Sequence, residues 1–179
     1  MLTDPAVSAM LVAAIAVLLL VSATQKLRDV PSFHGVLDSY ALLPAALLRP
    51  TAWTLPIVEA SAGLSLLGER TRVLGAALGL TVLGAVTLAV AINLLRGRTD
   101  LGCGCGGIED EQSLSWILVM RNLLLAGVLS LSLAHPTPRA FMWLDYLTIG
   151  LGAIALYGMY VSANQLLANQ PRLWRLRIG

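Results

Sequence analysis

Charge is scarce in this chain. Only 12% of its 179 residues are Asp, Glu, Lys or Arg, about half the share usual in soluble domains. Aromatic residues are few as well, at 6%, although 57% of the chain is hydrophobic. Apolar content drawn from Leu, Ala, Val and Ile is the composition of lipid-facing helices, and it excludes an ordinary water-soluble core. The net charge is +2, with basic residues scattered singly or held in the tail. No basic stripe exists for nucleic acid.

Cysteine is nearly absent too. Cys103 and Cys105, one residue apart, are all there are. That excludes a structural disulfide framework and leaves no resolving thiol elsewhere. A closed zinc site needs four ligands, so no such site is expected. The segment Met1 to Asp4 lacks Lys and Arg, whereas a secretory signal opens with basic residues. The apolar run Ala6–Ala23 is therefore read as a retained transmembrane helix. A signal cleaved after Ala23 is the competing reading.

What is present is a series of long apolar runs. A bilayer core of about 30 Å takes roughly 20 helical residues. Segments 6–24, 52–67, 73–95, 114–134 and 141–163 qualify or nearly so. The expected fold is all-α, a single membrane domain built as a four- to five-helix transmembrane bundle. The connections 68–72 and 135–139 are short, which makes their flanking helices antiparallel neighbours. Gly75 and Gly79 form a small-xxx-small pair that permits close helix approach.

Two connections are longer and fall on one face of the membrane. In the first, Phe33, Val36, Leu37 and Tyr40 recur at helical spacing, which predicts an amphipathic half-helix over 32–41. Phe33, Leu37 and Tyr40 are its candidate partner-binding or covering residues. The second, 96–113, holds Gly102-Cys103-Gly104-Cys105-Gly106-Gly107. Bridging two cysteines requires Cα atoms within about 7 Å. Glycines that reach positive φ at little cost relieve that demand, and an exposed, strained disulfide exchanges readily. A redox-active pair is thus the leading reading, with Cys103 and Cys105 as catalytic candidates. Soft-metal binding, such as Cu(I) between two thiolates, and a turn with incidental cysteines remain open.

Ionisable groups within membrane helices are costly and face the protein interior. Glu59 and Arg121 both lie roughly 10 Å from the cysteine face at 1.5 Å per residue, so they are expected to pair. Asn93, Asn122 and Lys26 fall at a similar level. Together these five form an expected polar cluster beneath the loop. It either tunes a cysteine or glues the bundle.

The run Ile92-Asn93-Leu94-Leu95-Arg96-Gly97-Arg98, the Cys103–Gly107 block, Ser115-Trp116 and Arg121-Asn122 resemble the MauE family of methylamine utilisation proteins. Lys26-Leu27, Pro31, Phe33, Leu37, Tyr40 and Leu42-Leu43-Pro44 resemble the related DoxX-like membrane proteins. The resemblance spans roughly residues 10 to 135. Gly107 departs from the aromatic residue many relatives carry in this loop.

The resemblance implies a protein of the bacterial cytoplasmic (inner) membrane. It would act with a thioredoxin-like partner of the MauD type and mature the disulfide-rich small subunit of methylamine dehydrogenase. The arrangement is also similar to vitamin K epoxide reductase, which uses Cys-x-x-Cys and a quinone. This chain has Cys-x-Cys, so a quinone cofactor is an analogy only. Disulfide oxidoreductase activity is the expectation. A non-catalytic scaffold or chaperone for the same maturation, or a Cu(I)-handling protein, is the alternative.

Sidedness pulls two ways. Lys26, Arg28, Arg49, Arg96, Arg98 and the tail arginines lie on the cysteine face, against Arg70, Arg72 and Arg139 opposite. The positive-inside rule places that face in the cytoplasm. Disulfide chemistry places it outside, and the loop is expected to be extracytoplasmic.

Overall fold

The structure is a computed structural model that describes the backbone of residues 5–102, 114–133 and 142–178, and the side chains of 5–102, 114–131 and 142–166. Among the described residues there are six helices. They are α1 (Pro5–Arg28), α2 (Val30–Tyr40), α3 (Ala45–Leu67), α4 (Arg72–Leu95), α5 (Trp116–Leu133) and α6 (Trp143–Ile178). Helix α1 is central and packs on α3, α5 and α6, while α4 closes against α3 and α5.

Among the described residues, three stretches are long and apolar enough to cross a membrane: α1, α4 and Trp143–Leu166 of α6. The chain is a helical membrane protein. The count of four to five spans expected from the runs is not met by length and apolarity alone. Helix α3 contains Pro50, Pro56 and Glu59, which dilute its hydropathy. Helix α5 is apolar over Trp116–Leu131 among the described side chains. Outward-facing Leu64, Val73, Leu88, Leu124 and Ile154 are all exposed, as lipid-facing side chains must be.

Two bounds differ most from the sequence reading. Helix α3 begins at Ala45 rather than near residue 52. Pro50 and Pro56 each remove one backbone bond without ending the helix, which neighbouring helices allow in a membrane. Helix α6 runs on to Ile178 instead of stopping near residue 163. Asp145 opens it by accepting a 2.8 Å bond from the Met142 amide.

Helix α2 forms where the Phe33–Tyr40 stripe predicts it. Asp29 breaks the chain after α1 (φ −139°, ψ 71°), and its carboxylate accepts from the Ser32 amide at 3.0 Å. That is an N-cap. Ala41, at φ 49°, ends the helix in the left-handed region, so a left-handed residue supplies the stop.

The central core joins Val12, Ile15, Ala16 and Leu19 of α1 to Ala62 and Leu66 of α3, Ala76 of α4 and Leu129 of α5. Small residues set these approaches. A Cβ on Gly75 would lie 2.6 Å from the Leu66 amide nitrogen and 2.9 Å from the Ala62 carbonyl. A Cβ on Gly63 would meet Leu20 Cγ at 2.8 Å. Gly79 instead faces Leu129 and Leu19. The two glycines of the small-xxx-small pair therefore serve different neighbours. Helix association in lipid depends on such packing, because apolar side chains gain little by leaving apolar solvent.

A second cluster sits at the end where α4 finishes and α5 begins. It joins Tyr40 of α2, Val90 and Leu94 of α4, and Leu114, Leu118 and Val119 around the start of α5.

Candidate functional site

Cys103 and Cys105 lie outside the described residues, as does His135. The attachment of their loop does not. The Leu114 amide donates to the Leu101 carbonyl at 3.1 Å, which brings the two ends of segment 102–113 together. Leu114 is buried in the second cluster, with Leu101 packed against it. The cysteines thus follow directly from a closed neck above Tyr40, Val90 and Leu94.

The approach to that neck is held to α2. After α4 the chain turns through Gly97 at φ +75°, a conformation natural to glycine. Arg96 and Arg98 point back across the turn. Arg96 Nη1 donates to the Ala41 carbonyl at 3.5 Å, and Arg98 Nη1 donates to the Tyr40 carbonyl at 3.4 Å. These carbonyls end α2, where the helix dipole is negative and cations are favoured. Arg98 also donates to Asn93 Oδ1 at 3.5 Å. Asn93, fully buried, returns a bond from its Nδ2 to the Ala89 carbonyl at 3.1 Å.

Lys26 and Glu59 meet beneath α2. Lys26 Nζ is 2.5 Å from Glu59 Oε1, and both side chains are buried. Ser22 donates to the other carboxylate oxygen at 3.2 Å. The Phe33 ring centroid lies 5.3 Å from Lys26 Nζ, within the range of a cation–π contact. One α2 residue therefore covers the pair that ties α1 to α3.

Arg121 has other partners. Its Nη1 donates to Asn164 Oδ1 at 3.0 Å, and Nε and Nη2 each approach Asn122 Oδ1 at 3.4 Å. The Tyr160 ring lies 5.4 Å from its guanidinium carbon.

The expected Glu59–Arg121 pair does not form. Their depths match, but α3 packs against α1, α2 and α4, and α1 presents Lys26 to Glu59. Arg121 turns toward α6. The five expected polar residues thus divide into a Lys26–Glu59 group, an Asn93 group and an Arg121–Asn122 group. Among the covering residues, Phe33 and Tyr40 are buried and Leu37 is half-buried. His34 is half-buried on α2.

Sequence reading missed Ser22, Arg98, Tyr160 and Asn164. Ser22 lies four residues before Lys26, and Tyr160 four before Asn164, so helical spacing held both signals. Among the described residues, no three His, Cys, Asp or Glu side chains converge as metal ligands.

Known proteins resemble this chain along most of its length. A family model described as Methylamine utilisation protein MauE matches residues 4–135. A protein of that name from Paracoccus denitrificans is 39% identical over 126 residues, covering 70% of this chain and 67% of its own. One from Paracoccus versutus is 32% identical over 166 residues, covering 92% and 89%. One from Methylorubrum extorquens is 34% identical over 163 residues, covering 88% of each. No solved structure matches. With the family match covering more than half of its residues, and relatives above 30% identity along most of its length, the chain belongs to the MauE family.

Proposed function

We propose that this protein serves methylamine utilisation as a membrane thiol–disulfide component. It exchanges with a thioredoxin-like partner to form disulfides in the methylamine dehydrogenase small subunit. The observation that carries this reading is the closed neck at Leu101 and Leu114. The residues that flank the Gly-Cys-Gly-Cys-Gly-Gly segment are held together over a buried cluster. A structural turn needs no such anchor, and two thiolates alone make a poor closed zinc site.

The exchange balances as follows. A thiolate of the partner attacks the Cys103–Cys105 disulfide, forming a mixed disulfide and releasing one cysteine as thiolate. The partner's second thiolate then resolves it. The partner leaves oxidised, and Cys103 and Cys105 hold the two electrons and two protons. Reoxidation requires a two-electron acceptor, for which a membrane quinone is the chemical class by analogy. Helices α3 and α5 complete the bundle as further crossings, because each packs along helices that span. The protein then sits in the cytoplasmic membrane with the cysteine loop on the extracytoplasmic side, where disulfides persist.

The test is maturation of the client in cells carrying Cys103→Ser or Cys105→Ser. Loss of client disulfides, with a partner trapped on the remaining cysteine, is expected. Full maturation in the double variant would refute the exchange and favour a scaffold role. Labelling of the loop cysteines by a membrane-impermeant reagent on intact cells tests the sidedness.

A further inference from the structure

We propose that Arg121, braced by Asn122, Tyr160 and Asn164, is a headgroup site for an anionic phospholipid in the leaflet where α4 ends and α5 begins. Arg121 is a permanent cation on an apolar helix, and a cation at this depth is costly without an anionic complement. Its partners are two amide oxygens and an aromatic ring. All of these are neutral. Among the described residues no carboxylate reaches it, and Glu59 is taken by Lys26.

The depth suits a lipid phosphate. Arg121 lies about 8 Å along α5 from Trp116, at 1.5 Å per residue. Trp116 is exposed, as interfacial aromatics are. On α6, Asn164 and Gln165 begin the more polar end of the sequence, which continues through Asn169, Gln170 and Arg172. Both helices therefore put the group near the membrane boundary on the same side.

The surroundings point to lipid rather than to a polypeptide. Ile117 and Leu124 lie one helical turn to either side of Arg121, and both are exposed. On α6, Met159 and Leu166 are exposed as well. Only 6% of the apolar window of α6 is buried within the protein, so this wall faces acyl chains. Arg121 itself is half-buried, with its guanidinium fork oriented by Asn122 and Asn164. Such a fork matches a phosphate with two parallel donors.

The test uses the full chain in nanodiscs of mixed phosphatidylglycerol and phosphatidylcholine, followed by native mass spectrometry of the lipid retained after detergent extraction. Phosphatidylglycerol should be retained over phosphatidylcholine by about fivefold, the scale of one cation at an anionic surface. Arg121→Gln should abolish that preference. Replacing the tail arginines together (Arg172→Gln, Arg175→Gln and Arg177→Gln) should leave it in place. Excess inorganic phosphate should not displace the lipid.

Equal retention of the two lipids overturns the proposal. So does a preference lost with the tail substitutions but kept in Arg121→Gln, or one erased by inorganic phosphate, which marks a free-anion site. If Arg121→Gln fails to fold, the unsubstituted protein and the tail variant decide. Thermal unfolding raised by phosphatidylglycerol over phosphatidylcholine in both supports the site, and no difference sinks it.

Discussion

Lys26 Nζ and Glu59 Oε1 are in direct contact across the α1–α3 interface, at 2.5 Å. Both are buried, and the Phe33 ring lies over the ammonium. A lysine near the end of a membrane helix ordinarily extends its charge toward the interface. Here α2 lies across that route, and the charge is met inside by a carboxylate with Ser22 on its other oxygen. The same pair thus fixes α1 to α3 and gives α2 a surface to rest on.

Removing one member of this pair leaves the other charge buried alone. Lys26→Met should destabilise the protein by about 3–5 kcal/mol. Adding Glu59→Leu should restore most of that loss, because two apolar residues need no compensation. Unfolding of the single and double variants in detergent, read as a double-mutant cycle, measures the coupling. Additive losses would show that the pair contributes nothing beyond its separate packing.

Gly75 and Gly84 lie on the same helix and should respond oppositely. A Cβ at residue 75 meets backbone atoms of Ser65 and Leu66 closer than 3 Å, whereas nothing lies within 4 Å at residue 84. Gly75→Ala should force α3 and α4 apart and cost about 1–3 kcal/mol. Gly84→Ala should be neutral or stabilise by up to about 1 kcal/mol, the helical penalty of glycine. Unfolding midpoints of the two variants under one condition decide the matter.

The arginine contacts across Gly97 join the approach to the cysteine loop to the end of α2. Gly97→Ala places a Cβ at φ +75° and should cost about 1–2 kcal/mol. Arg98→Gln removes the cation from the Tyr40 carbonyl. Both should speed amide exchange in the last turn of α2 and change the alkylation rates of Cys103 and Cys105. Unchanged exchange in α2 would mean that the two segments move independently.

Leu114→Ala should open a cavity beneath the neck and cost about 2–5 kcal/mol. Leu123→Ala, on the exposed face of α5, should stay within about 0.5 kcal/mol. A loss at Leu114 matched by faster thiol labelling in the loop would tie loop order to this cluster. Equal effects at the two leucines would show that the neck is not a point of anchorage.

Much of the helical plan was legible because its signals are local. The Phe33–Tyr40 stripe has its period written within a single helix of 11 residues, α2, and the apolar runs of α1, α4 and the first part of α6 need only be counted. The start of α3 was not legible. Pro50 and Pro56 read as breakers, and only helices packed alongside let the chain continue through them. Of the site, depth and polarity were readable for Lys26, Glu59, Asn93 and Asn122, because a polar residue within an apolar run has to face inward, whereas Arg121 stands half-buried.

What the sequence by itself determined was membrane residence, the separation of the chain into helices, the amphipathic α2 and the identity of the inward polar residues. Each follows from composition and spacing within one segment. The partners of those residues were decided only by tertiary structure. Lys26, rather than Arg121, met Glu59 because Gly63 brings α3 against Leu20 and Ala16 of α1. Arg121 was left to face Asn164 on a helix far along the chain. In lipid, helices choose neighbours by close packing at small residues, and that depends on how two surfaces fit rather than on either sequence alone.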